Sequence, residues 1–254
     1  MQSFLRPEVS YSKTLFKNNI IKDVCTNNDI HDLFINVGIK YEKLLTESIE
    51  NHVENNLLKT KPKHKYYNYL LIDSGKLFNL IDSLEAKGYK IDQKDVDEFK
   101  TTLIYIGKGS NNRKMFHMTD AKYHLEFGME TTKKCDNIIQ VWQKGNGIIV
   151  LQINSESNHY VALCRENAMI RAAKPNITNI RNGSSYGIMK DSWTQNETLF
   201  YGDSLLYYAL KTCIIERPTP FFPHHVISKK KSKPTDFIRS NYEYNGILEL
   251  FLEL

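Results

Sequence analysis

The spacing of apolar residues separates a helical beginning from a mixed region of strands and helices. Over residues 28–58, apolar side chains recur at intervals of three and four, the spacing of one helix face. Asn and Asp residues at 27–29 are candidate N-caps for this helix. The basic stretch at 59–65 contains Pro62 and predicts a linker.

Beyond the linker, short strands alternate with helices. Runs rich in aromatic and branched residues predict strands at 66–72, 102–107 and 147–153. Helical spacing predicts helices at 76–100 with a break near Gly88, at 111–126, at 133–144 ending at Gly145, from a cap at Ser155 to about Ala173, and at 198–215. Few strands among many helices predict an α+β domain with a small sheet.

These patterns divide the chain into three parts. We expect a helical N-terminal region with a basic linker at 1–64, a central domain at 65–216 and a basic C-terminal extension at 217–254. The extension ends in a second apolar stretch at 247–254.

Composition and charge narrow the function classes only slightly. The net charge of +5 is mild, although the runs KTKPKHK at 59–65 and KKKSK at 229–233 are dense. Such runs are typical of solvated linkers, and more weakly of phosphate contacts or nuclear import. The apolar runs are too short to span a bilayer, and the first residues lack the apolar core of a secretory signal.

The cysteines favour a reducing compartment. Four of them are widely spaced without a CxxC pair, which indicates neither a zinc site nor a disulfide framework. We therefore expect a nuclear or cytoplasmic protein that is not secreted and does not bind a membrane.

Glu166 is the first candidate functional residue. On a helix that ends near Ala173, it lies on the same face as Ala162, Met169 and Ile170. A carboxylate on an apolar stripe is costly unless it is paired, protonated or bound to a metal. The structural alternatives are a buried pair with a nearby arginine or a position at the edge of the stripe that reaches water.

A second group of candidates lies in the stretch TLIYIGKGSNNRKMFH at 102–117. Arg113 and His117 are four residues apart and share a helix face. The preceding segment GKGSNN offers backbone N–H groups just before a helix N-terminus, where anions are favoured, and Lys108 adds a charge. The alternative is an exposed basic first turn.

Two tyrosines in neighbouring predicted strands complete the set. Tyr69 and Tyr105 are also ordinary strand residues, so alone they indicate nothing. Together with the basic residues and the glutamate, they suit metal-assisted cleavage of a phosphodiester, in which cations stabilise developing oxyanions and a phenol moves a proton.

The order of these motifs resembles the GIY-YIG nuclease superfamily. It is carried by NYLLID at 68–73, YIGKG at 105–109, Arg113 with His117, CREN at 164–167 and ITN at 177–179. SSYG at 184–187 and the long interval between the two tyrosines are most similar to the metazoan ankyrin-repeat and LEM-domain endonucleases. The resemblance covers roughly residues 66–215.

The resemblance implies a fold and a reaction. The fold is α+β, with a small, three-stranded, mostly antiparallel sheet flanked by helices. The reaction is endonuclease hydrolysis of DNA through one divalent metal, Mg²⁺ or Mn²⁺. The alternatives are an RNA endonuclease with the same site, or a nucleic-acid-binding module that has lost catalysis; protein partners stay unknown.

The resemblance also implies roles for single residues. Tyr69 corresponds to the tyrosine that activates water, and Tyr105 to the tyrosine near the scissile phosphate. Lys108 and Arg113 correspond to basic residues that bind that phosphate, and we add Lys114 as a nucleic-acid contact. The remaining matches are His117, which assists proton transfer, Glu166, the protein ligand of the metal, and Asn179, which braces the site.

One motif departs from the family pattern. The first tyrosine motif reads NYL instead of GIY. Residues 1–60 show neither an ankyrin-type TPLH nor a clear LEM pattern, so the partners of those modules are not implied here.

Overall fold

The computed structural model describes residues 28–59, 65–128 and 132–226. The predictions for the first residues, most of the linker, the lysine run at 229–233 and the apolar end of the chain lie outside these ranges. The described elements are α1 (Asn28–Glu54), β1 (Tyr66–Asp73), α2 (Ser74–Ala86), α3 (Gln93–Thr102), β2 (Leu103–Ser110), α4 (Arg113–Phe127), α5 (Lys133–Gln143), β3 (Ile148–Ser157), α6 (His159–Ala173), α7 (Ile188–Asp191), α8 (Gln195–Glu216) and a 3₁₀ turn at Pro223–His225.

The three strands form one antiparallel sheet in the order β2–β1–β3. The α+β class and the small antiparallel sheet are therefore confirmed. Tyr69 in the central strand lies opposite Gly107 on one side and Gln152 on the other. This register places successive residues of β1 on opposite faces of the sheet.

Helices cover both faces. Leu70 and Ile72 point into the larger apolar cluster, which includes residues of α1, α2, α6 and α8. Tyr69 and Leu71 point into the smaller cluster, which includes residues of α4 and α5. We call these the α6 face and the α4 face of the sheet. β1 is buried by both, as its nearly unbroken apolar sequence predicts.

One predicted boundary is wrong. Ser155 does not cap the helix that carries Glu166, because β3 continues to Ser157. The cap is Asn158, whose side chain accepts a hydrogen bond from the Tyr160 N–H at 2.9 Å. Polar residues at the end of a strand and at a helix cap are alike in composition, so composition misplaced this junction.

The N-terminal helix packs into the same core as the sheet. Phe34, Leu45 and Ile49 are buried in the larger cluster. Glu42 is also buried, and its carboxylate pairs with Arg165 of α6 and accepts a hydrogen bond from the Tyr201 hydroxyl of α8 at 2.5 Å. Three helices therefore meet at one desolvated ion pair.

None of the helices in the described ranges is both long and apolar enough to cross a bilayer.

Candidate active site

Two tyrosines and a histidine meet on the α4 face of the sheet. The Tyr69 hydroxyl lies 2.7 Å from Nε2 of His117, and the two rings stack with their centroids 5.7 Å apart. The Tyr105 ring lies 5.1 Å from the imidazole and 6.1 Å from the Tyr69 ring. Adjacent strands and the first turns of α4 thus bring three predicted residues into contact.

The glycines of the GKG segment make room for these rings. A Cβ on Gly107 would lie 2.5 Å from the hydroxyl and ring of Tyr69, and one on Gly109 would lie 3.1 Å from the Tyr67 ring. Both glycines lie within β2, and backbone groups of a strand alternate between its edges, so their N–H groups point towards β1. These two N–H groups are therefore not available to an anion, and the expected contribution of the remaining N–H groups of GKGSNN stays a prediction.

Tyr67 fixes the passage from β2 into α4. Its hydroxyl donates to the backbone carbonyl of Asn111, and its ring lies 6.0 Å from that of Tyr69. Asn111 has a positive φ of 51°, and α4 begins two residues later at Arg113. Tyr67 thereby helps to position the first turn of α4.

In the described part of the chain, the outer edge of β2 pairs with residues 178–179 and with Glu166 instead of with a fourth strand. The Asn179 amide accepts from the Ile106 N–H at 3.0 Å and donates to the Ile106 carbonyl at 2.7 Å. The Thr178 N–H donates to the Ile104 carbonyl at 2.9 Å. Two residues further along, the Lys108 N–H donates to Oε1 of Glu166 at 2.9 Å.

Glu166 lies where the stripe argument placed it. Ala162, Met169 and Ile170 are buried beside it, and its own side chain is half-buried. The neighbouring arginine does not neutralise it, because Arg165 pairs with Glu42. Desolvation raises the pKa of Glu166, while the Lys108 N–H and the charges of Lys108 and Arg113 oppose that rise.

The groups on the α4 face are held in their neutral forms. Desolvation, with help from Lys134 and Arg113, lowers the pKa of His117 to about 3. Desolvation also raises the pKa of Tyr69 and of Tyr105. At neutral pH the cluster therefore consists of two phenols and a neutral imidazole.

Arg113 is a cation whose charge reaches every one of these groups. Its charge affects the pKa values of Tyr69, Tyr105, His117 and Glu166. Its side chain is exposed, and no carboxylate of the described ranges lies within ion-pair distance of it. A guanidinium in this position is free to bind two oxygens of an anion.

The two predicted lysines lie on different sides of this cluster. The ammonium of Lys114 donates to Oε1 of Gln152. The Lys108 side chain points to the α6 face, where its ammonium lies 4.1 Å from the centre of the Tyr66 ring and 2.9 Å from Nδ1 of His159. Strand alternation therefore separates the Lys108 charge from the tyrosine pair and leaves it on the side of Glu166.

A family model described as the LEM-3-like GIY-YIG domain matches residues 66–228. The chain belongs to this family. The match covers well over half of the 254 residues, including the whole sheet and the helices that carry the site. The resemblance inferred from the motifs is confirmed, including its branch.

Two curated relatives share this region. One is the Ankyrin repeat and LEM domain-containing protein 1 homolog of Caenorhabditis elegans, 31% identical over 133 residues that make up 51% of this chain and 19% of the relative. The other is the Ankyrin repeat and LEM domain-containing protein 1 of Mus musculus, 26% identical over 163 residues, 63% of this chain and 30% of the relative. This chain thus spans less than a third of the length of either. No solved structure matches it.

A divalent cation fits this GIY-YIG site at Glu166. Among the described residues, no group of three or more His, Cys, Asp or Glu side chains is placed to hold a metal. Mg²⁺, however, commonly keeps several waters and binds one or two carboxylates together with substrate phosphates. The carboxylate of Glu166 is oriented by one backbone N–H and destabilised by desolvation, and both features suit a cation ligand.

Sequence reasoning missed two residues of this GIY-YIG site. Tyr67 was hidden among 15 tyrosines, although its spacing of two from Tyr69 already placed both on one face. Lys134 lies with its ammonium 4.6 Å from the centre of the Tyr105 ring. It is the second residue of the helix predicted at 133–144, and no local signal in the sequence marks it.

Proposed function

We propose that this chain is a divalent-metal-dependent endonuclease that hydrolyses phosphodiester bonds in DNA. The observation that carries the proposal is the position of Glu166, held by the backbone of the strand that presents Tyr105 to Tyr69 and His117. Family membership supports nuclease activity, since the chain matches the LEM-3-like GIY-YIG domain through all of these residues.

The protein residues bind the phosphate and move the proton. Arg113, exposed and free of carboxylates in the described ranges, binds the non-bridging oxygens and stabilises the charge that grows on them. Glu166 and water would hold Mg²⁺ or Mn²⁺, which supplies further charge neutralisation. Lys108 lies on the Glu166 side of the sheet and is placed to contact the same strand of nucleic acid.

The Tyr69 and His117 pair is suited to relay a proton in concert with attack. A phenol whose pKa is raised does not rest as phenolate, and an imidazole whose pKa is lowered to about 3 does not rest as imidazolium. Tyr69 can accept a proton from the attacking water as its own hydroxyl proton passes to Nε2 of His117 across 2.7 Å. This geometry favours Tyr69 over Tyr105 as the group that activates water.

Asn179 acts at a distance from the chemistry. It holds both backbone groups of Ile106, and thereby the strand between Tyr105 and Lys108. The distance between Glu166 and Tyr105 therefore depends on the position of this strand.

The test is cleavage of supercoiled plasmid DNA by the purified full chain with Mg²⁺, with EDTA and as the Glu166→Gln variant. We expect nicking that requires both the cation and Glu166. Cleavage of structured RNA but not of plasmid would assign the RNA substrate. A folded protein that binds but cleaves neither, with either cation, would overturn the enzymatic proposal in favour of a binding module. We also propose that the protein acts in the nucleus or the cytoplasm.

A further inference from the structure

Lys134 occupies an electrostatically unfavourable position beside the tyrosine cluster. Its ammonium lies over the Tyr105 ring at 4.6 Å from the centroid, and its side chain is half-buried. It is the second residue of α5, where the positive end of the helix dipole disfavours a cation. The neighbouring Lys133, by contrast, is exposed.

The surroundings compensate this charge only in part. Burial lowers the pKa of the Lys134 ammonium, and the charge of Arg113 acts in the same direction. Asp120 opposes the shift, but its own carboxyl is desolvated and has a raised pKa. The Tyr105 ring contributes a cation–π attraction. Two cations close enough to disfavour each other's charge would both be stabilised by an anion between them.

The sheet faces explain why this anion needs Lys134. A phosphodiester bound at the Tyr69 and Tyr105 hydroxyls lies on the α4 face, whereas the Lys108 ammonium lies on the α6 face against His159. Among the described residues of the α4 face, Lys134 and Arg113 are cations whose charges lower the pKa of His117, whereas the Lys114 ammonium donates to Gln152. Lys134 therefore holds the place beside Arg113 that the sequence had suggested for Lys108.

We propose that Lys134 is a second phosphate-binding residue of the active site, which contacts the nucleic acid backbone together with Arg113 across the Tyr105 ring. This inference rests on the proposed function, because it names the group that shares the phosphate at the same site. Lys134 acts by charge and needs no proton transfer of its own.

The first experiment measures the salt dependence of binding. Binding of the full chain to a DNA duplex is measured in EDTA, which prevents cleavage, at several salt concentrations for wild type, Lys134→Met, Lys134→Arg and Lys133→Met. One phosphate contact contributes about 0.9 to the slope of log K against log salt. We expect Lys134→Met to lower the slope by about one contact, Lys134→Arg to retain it, and Lys133→Met to change it less. An unchanged slope in Lys134→Met would overturn the proposal.

The second experiment tests whether the contact is to a particular phosphate. The same duplex is made with a single neutral methylphosphonate at the cleavage site or at either adjacent position. If Lys134 binds one of these phosphates, neutralising that phosphate and removing Lys134 are not additive, and Lys134→Met then weakens binding little further. Additive losses at all three positions would mean that Lys134 contributes only to the general potential, and would also overturn the proposal.

Folding and function are separated by two controls. Lys134→Met keeps the apolar stem and relieves like-charge repulsion, so its thermal unfolding should match wild type while kcat/KM falls about tenfold or more. A loss of stability with an unchanged slope would make Lys134 a packing residue. Wild-type protein that binds without cleaving would overturn the proposed function alone, because the slopes still decide the role of Lys134.

Discussion

Burial of His117 decides what this residue can do. Its imidazole is 8% exposed, and within the described ranges Nδ1 has no hydrogen-bond partner while Nε2 meets the Tyr69 hydroxyl. The tyrosine donates to Nε2 when the imidazole carries its proton on Nδ1. A buried neutral histidine of this kind links the stability of the protein to pH.

The His117→Gln variant should show this linkage. The folded pKa of about 3 lies below the ordinary value of 6.5, so the unfolded chain binds more protons and stability falls as pH falls through that interval. Between pH 7 and pH 5, His117 should cost wild type about 2 kcal/mol. Urea unfolding at both pH values should show this loss in wild type, and a loss smaller by that amount in the variant. Equal losses in the two proteins would contradict a buried neutral histidine.

Replacing Gly107 or Gly109 of β2 with alanine should reduce turnover to different extents. In Gly107→Ala, the new Cβ lies 2.5 Å from the Tyr69 hydroxyl and 2.8 Å from the Tyr105 ring, so the pair must move apart. In Gly109→Ala, the clearance from the Tyr67 ring is 3.1 Å, and a small shift of that ring suffices. We expect Gly107→Ala to lose at least a hundredfold in turnover, because misplacing catalytic groups by about 1 Å has that effect.

Cleavage rates measured beside melting temperatures check this expectation. Gly109→Ala is the matched control in the same strand. A Gly107→Ala variant as active as Gly109→Ala would show that the Tyr69 position does not limit the reaction.

At this scale the sequence revealed chemistry better than geometry. The residues that meet at the Tyr69 hydroxyl are chemically distinctive and ordered along the chain, so a family pattern could name them. The roles of Gly107 and Lys134 depend on ring positions and on helix placement, which no local pattern encodes. The position of Lys108, by contrast, could have been predicted. Side chains alternate along a strand, so Lys108, three residues after Tyr105, must lie on the opposite face of the sheet.

The elements are joined through the outer edge of β2. An edge strand exposes unpaired N–H and C=O groups, and here Asn179, Thr178 and Glu166 take the place of a neighbouring strand. Glu166, the proposed metal ligand, and Asn179 thus both bind the same edge of β2. Periodicity correctly predicted β2, α4 and α6 as elements, but side chains that pair with an edge have no periodic signal.

Asn179→Ala should loosen this edge. It leaves the N–H and the carbonyl of Ile106 without their partner, at a cost of about 1–3 kcal/mol in the free energy of unfolding. Asn182→Ala is the matched control, because Asn182 is an exposed amide of the same segment that, in the described ranges, accepts a hydrogen bond from the Lys174 ammonium and holds no strand. Hydrogen exchange of the Ile106 amide should accelerate in the first variant and not in the second. Unchanged protection of the Ile106 amide from exchange in Asn179→Ala would contradict the bracing role of Asn179.

At the scale of the whole molecule, the pattern of residues predicted an α+β domain with a small sheet, and the family resemblance implied its three-stranded, antiparallel form; the described residues confirm both. The hydrophobic periods of strand and helix differ, and β1 is apolar on both faces, so the sheet could be read directly. The packing of α1 could not be predicted, because the pattern of an amphipathic helix does not show which surface its apolar face covers. The family match begins at residue 66, but the core that supports the site begins earlier, with Phe34 of α1.

The buried ion pair between α1 and α6 makes this dependence testable. A chain shortened to begin at residue 60 lacks Glu42. Arg165, which is 5% exposed in the full protein and directly precedes Glu166 on α6, then loses the carboxylate with which its guanidinium pairs. Losing one partner of a buried pair costs about 3–5 kcal/mol, and the loss of Phe34, Leu45 and Ile49 from the core adds to it.

We therefore expect the shortened chain to unfold at a clearly lower urea concentration than a chain that begins at residue 28 and keeps α1. Adding Arg165→Met to the shortened chain should recover part of the loss, because the substitution removes the uncompensated charge and keeps an apolar stem. Equal urea midpoints for the chains that begin at residues 28 and 60 would mean that the nuclease-family region is stable without α1. In that case α1 would be an accessory helix, and the Glu42 pair would contribute to specificity of packing instead of stability.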